Sequence, residues 1–189
     1  MIGALADWAA ERAAGGRCVV LVDGRSGAGK TTLAVSLSDR LAQILGRPVQ
    51  VVSLDDCYPG WDGLAAGAAM VPGMLSPPSM HDSASPDRQG TAPGYRRYDW
   101  ALGRVAEWVP LDPVAPLVIE GSGSLTGASA QLASLRIWLD APEQARREAV
   151  ERRDGPASGW WDGWAAQELA HIAAHDPASL ADVRLSPMP

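Results

Sequence analysis

The fourteen residues Val19–Thr32, VVLVDGRSGAGKTT, constrain the fold more than any other part of the chain. The apolar, β-branched run from Cys18 to Val22 suits a buried parallel strand, and a helical pattern runs from about Lys30 to Leu45. Between them, Gly24-Arg25-Ser26-Gly27-Ala28-Gly29-Lys30-Thr31 satisfies the P-loop pattern G-x-x-x-x-G-K-[ST]. Small residues there let backbone N–H groups converge on phosphate oxygens, and the helix N-terminus adds the positive end of its dipole. Gly24 through Thr32 is therefore the expected phosphate cradle. Lys30 is expected to reach the β and γ phosphates, and the Thr31 hydroxyl to ligate Mg²⁺. The alternative is a glycine-rich turn that merely joins strand to helix.

Similar punctuation recurs along the chain. Residues 2–14 read as an Ala-rich helix ended by Gly15-Gly16. Val49–Leu54, Pro116–Ile119 and Leu135–Leu139 read as buried-type strands, and Ala181–Leu185 as a short edge strand. Helical patterns cover about Glu143–Arg153 and Asp162–Ala174. Alternating strands and helices predict an α/β fold, a parallel sheet with helices on both faces, in one domain spanning residues 1–189. Residues 72–94 hold five prolines and little periodicity and are expected to form a mobile surface excursion.

Composition narrows the partners. Sixteen basic against twenty-two acidic residues give a net charge of −6, which argues against nucleic acid and against an anionic membrane surface. No apolar run is long enough to span a bilayer, and two cysteines make no disulfide scaffold, so a cytoplasmic location is expected. Lys30 is the only lysine beside fifteen arginines. That excludes the N-K-x-D element with which guanine-specific GTPases read their base, and leaves a small-molecule kinase as the natural reading.

Asp55 and Asp56 follow the second strand, where ligands of open α/β sheets sit. Asp55 there can accept a proton from an attacking hydroxyl and assist the metal; the alternative for both is a carboxylate capping the next turn. Glu120 ends the third strand and is a candidate Mg²⁺ residue or else a structural acid. Arg153 is the candidate for neutralising transferred charge. The Trp-rich set, Trp61 included, could stack on a ring or pack internally, and His81, His171 and His175 read as structural or exposed.

Together the turn GRSGAGKTTLA, the strand-end DDCY, Tyr98-Asp99 and the IEG of Ile119–Gly121 resemble the uridine kinase and nicotinamide riboside kinase group of P-loop kinases. Asp140–Asp154 and Trp160–Glu168 are similar to that group's arginine-bearing helix and aromatic lid. The resemblance implies a P-loop NTPase-type sheet with a small lid, here 154–164, and transfer of the γ-phosphate of ATP to a hydroxyl of a nucleoside or riboside. It implies Asp55 as general base, Tyr98-Asp99 as the pair that holds the ribose, and Glu120 near the metal, where Thr31 and Asp55 are also expected; Asp55, Asp56, Tyr58, Trp61 and Arg97 join Tyr98 and Asp99 as the candidate acceptor residues. Cys57 departs from the group's common aromatic and Pro72–Gly94 aligns poorly, so the acceptor stays open. A nucleoside monophosphate, a pantothenate-like acceptor, or a regulatory nucleotide-binding protein are the alternatives.

Overall fold

The computed structural model describes residues 1–76, 93–155 and 159–186. Five strands, β1 (Val19–Gly24), β2 (Gln50–Ser53), β5 (Leu117–Glu120), β6 (Leu135–Leu139) and β7 (Val183–Leu185), form one parallel sheet in the order β2-β5-β1-β6-β7. The remaining two, β3 (Gly94–Asp99) and β4 (Arg104–Pro110), pair as a separate antiparallel hairpin. The helices are α1 (Ile2–Ala13), α2 (Lys30–Leu45), α3 (Leu64–Leu75), α4 (Gly127–Ala130), α5 (Glu143–Asp154), α6 (Trp161–His175) and α7 (Pro177–Leu180).

Strand β1 is buried along its whole length, as a central strand covered on both faces must be. Its side chains divide by the strand period of two. Val20 and Val22 meet Leu5 and Ala9 of α1 and Leu37 and Leu41 of α2, whereas Val19 and Leu21 face Leu64, Val71 and Met74 of α3. Placing β1 between β5 and β6 puts the phosphate-binding turn at the centre of the sheet's carboxyl edge. The ends of β5 and, beyond it, β2 stand beside that turn. Among the described residues no helix is long and apolar enough to cross a membrane.

Several boundaries differ from the sequence reading. The strand expected over Val49–Leu54 stops at Ser53, because Leu54–Asp56 turn into a single 3-10 turn that aims both aspartates off the sheet edge. Of the excursion expected over 72–94, Pro72–Leu75 complete α3, Gly94 opens β3, and 77–92 lie outside the described residues. Helix α3 escaped notice because it is apolar nearly all round and carries two glycines and a proline, so it shows no amphipathic stripe. Gly67 is needed there, since a Cβ would collide with the Tyr58 ring. Of the expected lid over 154–164, Asp154 ends α5, 156–158 lie outside the described residues, and Trp161–Trp164 open α6.

Candidate active site

The turn Gly24–Thr31 adopts a conformation only its glycines permit. Gly27 (φ 81°) and Gly29 (φ 93°) lie in the left-handed region, and a Cβ on Gly27 would also collide with the Arg146 main chain. Lys30 is the first residue of α2, and its Nζ donates to the Arg25 carbonyl at 3.2 Å and lies 3.4 Å from the Ser122 hydroxyl. One turn-length of chain thus folds the ammonium back over its own backbone, at the helix end where an anion is favoured.

Thr31 and Glu120 meet across the β1–β5 edge. The Thr31 hydroxyl donates to Glu120 Oε1 at 3.1 Å, and the Ser53 hydroxyl, from the end of β2, donates to the same oxygen at 2.7 Å. Glu120 is 2% exposed, and that burial pushes its carboxyl above the ordinary range, with Lys30 and the Ser53 hydrogen bond pulling the other way. Asp55, exposed on the 3-10 turn, joins Lys30, Thr31, Thr32, Glu120 and Arg153 around one cleft of about 220 Å³. Arg153 reaches it from the last turn of α5 while its guanidinium forks onto Asp154 at 2.8 and 2.6 Å. The oxygen-only donors Thr31, Glu120 and Asp55 suit a hard divalent cation such as Mg²⁺. Among the described residues no three His, Cys, Asp or Glu side chains gather for a metal, so further ligands would have to be phosphate oxygens and water.

The acceptor residues expected from the sequence divide. Tyr58 is in the core: its hydroxyl donates to the Ser122 carbonyl at 2.7 Å and its ring packs edge-on against Trp164, so it cannot line an acceptor pocket. Asp99 caps the hairpin turn, accepting from the Ala101 and Leu102 N–H groups at 3.0 Å each. Arg97 is held in a fork by Glu107 across the hairpin, at 2.7 and 3.1 Å. Trp61, half-exposed, stacks on Trp160 with centroids 4.9 Å apart and an 18° interplanar angle, and Trp100 tilts against its ring. Tyr98 meets Trp100 edge-on, and Trp100 Nε1 donates to the Asp55 carbonyl at 2.8 Å. An aromatic cluster therefore abuts Asp55, with the rings contacting one another. Asp56 stands next to Asp55; partial burial and then the Asp55 charge push its carboxyl up, and Arg97 opposes.

Residue-by-residue reading missed what holds the turn from behind. Asp23, 1% exposed at the end of β1, accepts from the N–H groups of Gly24 (2.7 Å), Gly123 (3.0 Å) and Leu125 (2.8 Å), tying the turn to the loop after β5. A lone carboxylate directly before the glycine-rich turn was its only signal. Glu168 of α6 accepts from the Ser26 N–H at 2.6 Å and from Arg25 Nε at 3.0 Å. His171, read as structural, is buried with Nε2 3.6 Å from Asp23.

No family model matches the chain, and no curated protein does so. Solved structures do. A possible uridine kinase from Bacillus stearothermophilus aligns over 96% of this chain and 97% of its own, with a TM-score of 0.59 and 20% identity. A proposed fructose transport system kinase from a Silicibacter species aligns over 98% of each chain, with a TM-score of 0.56 and 20% identity. At that identity the likeness establishes architecture, and the chain has the P-loop NTPase-type α/β fold of these uridine kinase-like structures.

Proposed function

We propose that the protein is an ATP-dependent phosphotransferase that moves the γ-phosphate of ATP to a hydroxyl of a small molecule, a nucleoside or riboside first among them. The observation that carries this reading is the convergence of Lys30, Thr31, Asp55, Glu120 and Arg153 on one cleft at the carboxyl edge of the sheet. Phosphoryl transfer needs little beyond positioned charge, and this set supplies it. The Lys30 ammonium exchanges its contacts with Arg25 and Ser122 for phosphate oxygens. Thr31, Glu120 and Asp55 hold Mg²⁺, whose charge screens the phosphates when bound. Asp55 takes the proton from the acceptor hydroxyl. Arg153 turns from Asp154 toward the charge that develops on the transferred group.

The acceptor side favours an uncharged hydroxyl compound over a monophosphate. Its rim carries the adjacent carboxylates Asp55 and Asp56, which would repel a second phosphate. A sugar acceptor is a second reading, supported by the full-length likeness to the proposed fructose transport system kinase. An ADP-release screen across nucleosides, monophosphates, sugars and pantothenate-like compounds tests both. Turnover with one acceptor class, lost in Asp55→Asn, is the expected result. MgATP binding without turnover on any class would leave a nucleotide-binding regulatory protein instead.

A further inference from the structure

Ser26, in the middle of the phosphate loop, has both of its main-chain polar groups held by charged side chains from the two long helices after β6. Its N–H donates to Glu168 Oε1 of α6 at 2.6 Å, and its carbonyl accepts from Arg146 Nη1 of α5 at 3.1 Å. Both side chains are almost wholly buried, 3% and 1% exposed, and neither lines the cleft. They stand 4.0 Å from each other, so their best hydrogen bonds go to the loop instead of across the pair. Glu168 takes two more: from Arg25 Nε at 3.0 Å, and at 3.1 Å from the Ser122 hydroxyl that lies 3.4 Å from Lys30 Nζ. Arg146 spends its Nε on the Ala141 carbonyl at 3.1 Å and stacks on Trp161, the first residue of α6.

A buried ion pair is a poor source of stability by itself, because desolvation offsets its attraction. Here the two charges instead immobilise one peptide unit on each side of Ser26. A glycine-rich loop left free would lose backbone entropy on ordering around a phosphate. A loop ordered during folding has already met that loss, which strengthens binding. We propose that Glu168 and Arg146 are positioning residues, a two-point clamp on Ser26 that fixes the phosphate loop in its anion-receiving shape before nucleotide arrives. The inference rests on the reading of Gly24–Thr31 as a phosphate cradle. It extends that reading to two buried side chains that do not themselves line the cleft.

The test is the affinity of the purified protein for MgATP and for inorganic tripolyphosphate, measured by calorimetry beside thermal unfolding. Glu168→Gln keeps an oxygen for the Ser26 N–H and should stay within about threefold of the parent. Glu168→Ala removes it and should weaken both ligands by about tenfold or more, in parallel, because the clamp acts on the phosphate loop and not on a base. Glu168→Asp keeps the charge but falls one methylene short, so it must show the loss even if Glu168→Ala does not fold. Arg136→Ala, at the β6–β7 edge far from the loop, lowers stability without touching Ser26 and should bind as the parent does. Parental affinity in Glu168→Ala or Glu168→Asp overturns the clamp. So does Glu168→Gln as weak as Glu168→Ala, which would make charge balance the role, or an affinity loss that simply follows melting temperature through Arg136→Ala. If the parent itself binds neither ligand, the phosphate-cradle reading fails, and the clamp with it.

Discussion

Lys30 sits where a planar guanidinium has no equivalent: a compact ammonium between the Arg25 carbonyl and the Ser122 hydroxyl at the first turn of α2. Lys30→Ala should abolish phosphoryl transfer in a protein that still melts cooperatively, and Lys30→Arg should also be poor, because the fork demands room and directions that the turn lacks. Wild-type ADP release from Lys30→Ala would end the kinase reading. Asp55→Asn should lower turnover by about 10²-fold or more while MgATP affinity holds, the pattern of a lost general base. Asp56→Asn should hurt less and act on acceptor KM. Glu120 adds a prediction with a sign that separates binding from folding. Burial raises its carboxyl's pKa, so ionising it costs the folded chain more than the unfolded one, and its contribution to stability falls as pH rises through that raised value. Glu120→Gln removes the charge and leaves an oxygen for Thr31 and Ser53. Its melting temperature without ligand should match or exceed the parent's, while the rise on adding MgATP is lost. A parental rise would take Glu120 out of the metal site.

At the scale of elements, one carboxylate ties the start of the last strand to its neighbours. Asp182 precedes β7 and accepts from Arg136 of β6 at 2.6 and 2.9 Å and from Arg12 of α1 at 2.8 Å, so it fastens three parts of the chain at once. Burial pushes its carboxyl up, but the hydrogen bonds from Arg136 and Arg12 outweigh that and hold it down at about 2. With a depressed pKa, its stabilisation is present above the unfolded value of about 4 and is lost as pH falls toward 2. Allowing for solvent screening, the contribution is on the order of 1–2 kcal/mol. Asp182→Asn should melt lower at pH 7, and the gap to the parent should shrink as pH falls below about 4 and through about 2. A gap constant with pH would show that packing, not charge, is what Asp182 supplies. The same elements show what a sequence makes visible. Val19–Thr32 was legible because strand burial, glycine-dependent turn and helix start agree over adjacent residues. The β3–β4 hairpin was not, since half-exposed strands such as Arg104–Pro110 lack clean alternation and their pairing shows only in three dimensions. In the site, Lys30, Thr31, Asp55 and Glu120 could be named because each lies at a strand end or in a motif. Glu168, from the middle of α6, and Arg146, from the first turn of α5, act on a residue more than a hundred positions away, which no local pattern records.

For the whole molecule, the question is which part moves when nucleotide enters. Residues 154–164 are the expected lid, and Gly155, Pro156, Ser158 and Gly159 in it have poor helix propensity. The two sides of that segment differ in packing. On the far side Trp161 and Trp164 are buried, Trp160 stacks on Trp61, and α6 continues to Glu168 on the phosphate loop. On the near side the last turn of α5 carries Arg153, whose only described hydrogen bonds run to its neighbour Asp154 at the surface. Stacked rings and a buried clamp resist displacement, whereas an exposed ion pair is worth about 1 kcal/mol or less and is easily exchanged for a phosphate. Nucleotide should therefore act on one side of the segment. Amide exchange at saturating Mg²⁺ and a non-hydrolysable ATP analogue should slow in the phosphate loop and around Arg152–Gly155, with little change through Trp161–His175. Tryptophan emission should shift only slightly, since the rings keep their partners. Arg153→Ala should erase the protection at the end of α5 and leave that of the loop. Strong new protection along α6, or a large emission change, would show that the Trp corner itself travels. Protection confined to the phosphate loop would remove Arg153 from the transfer site.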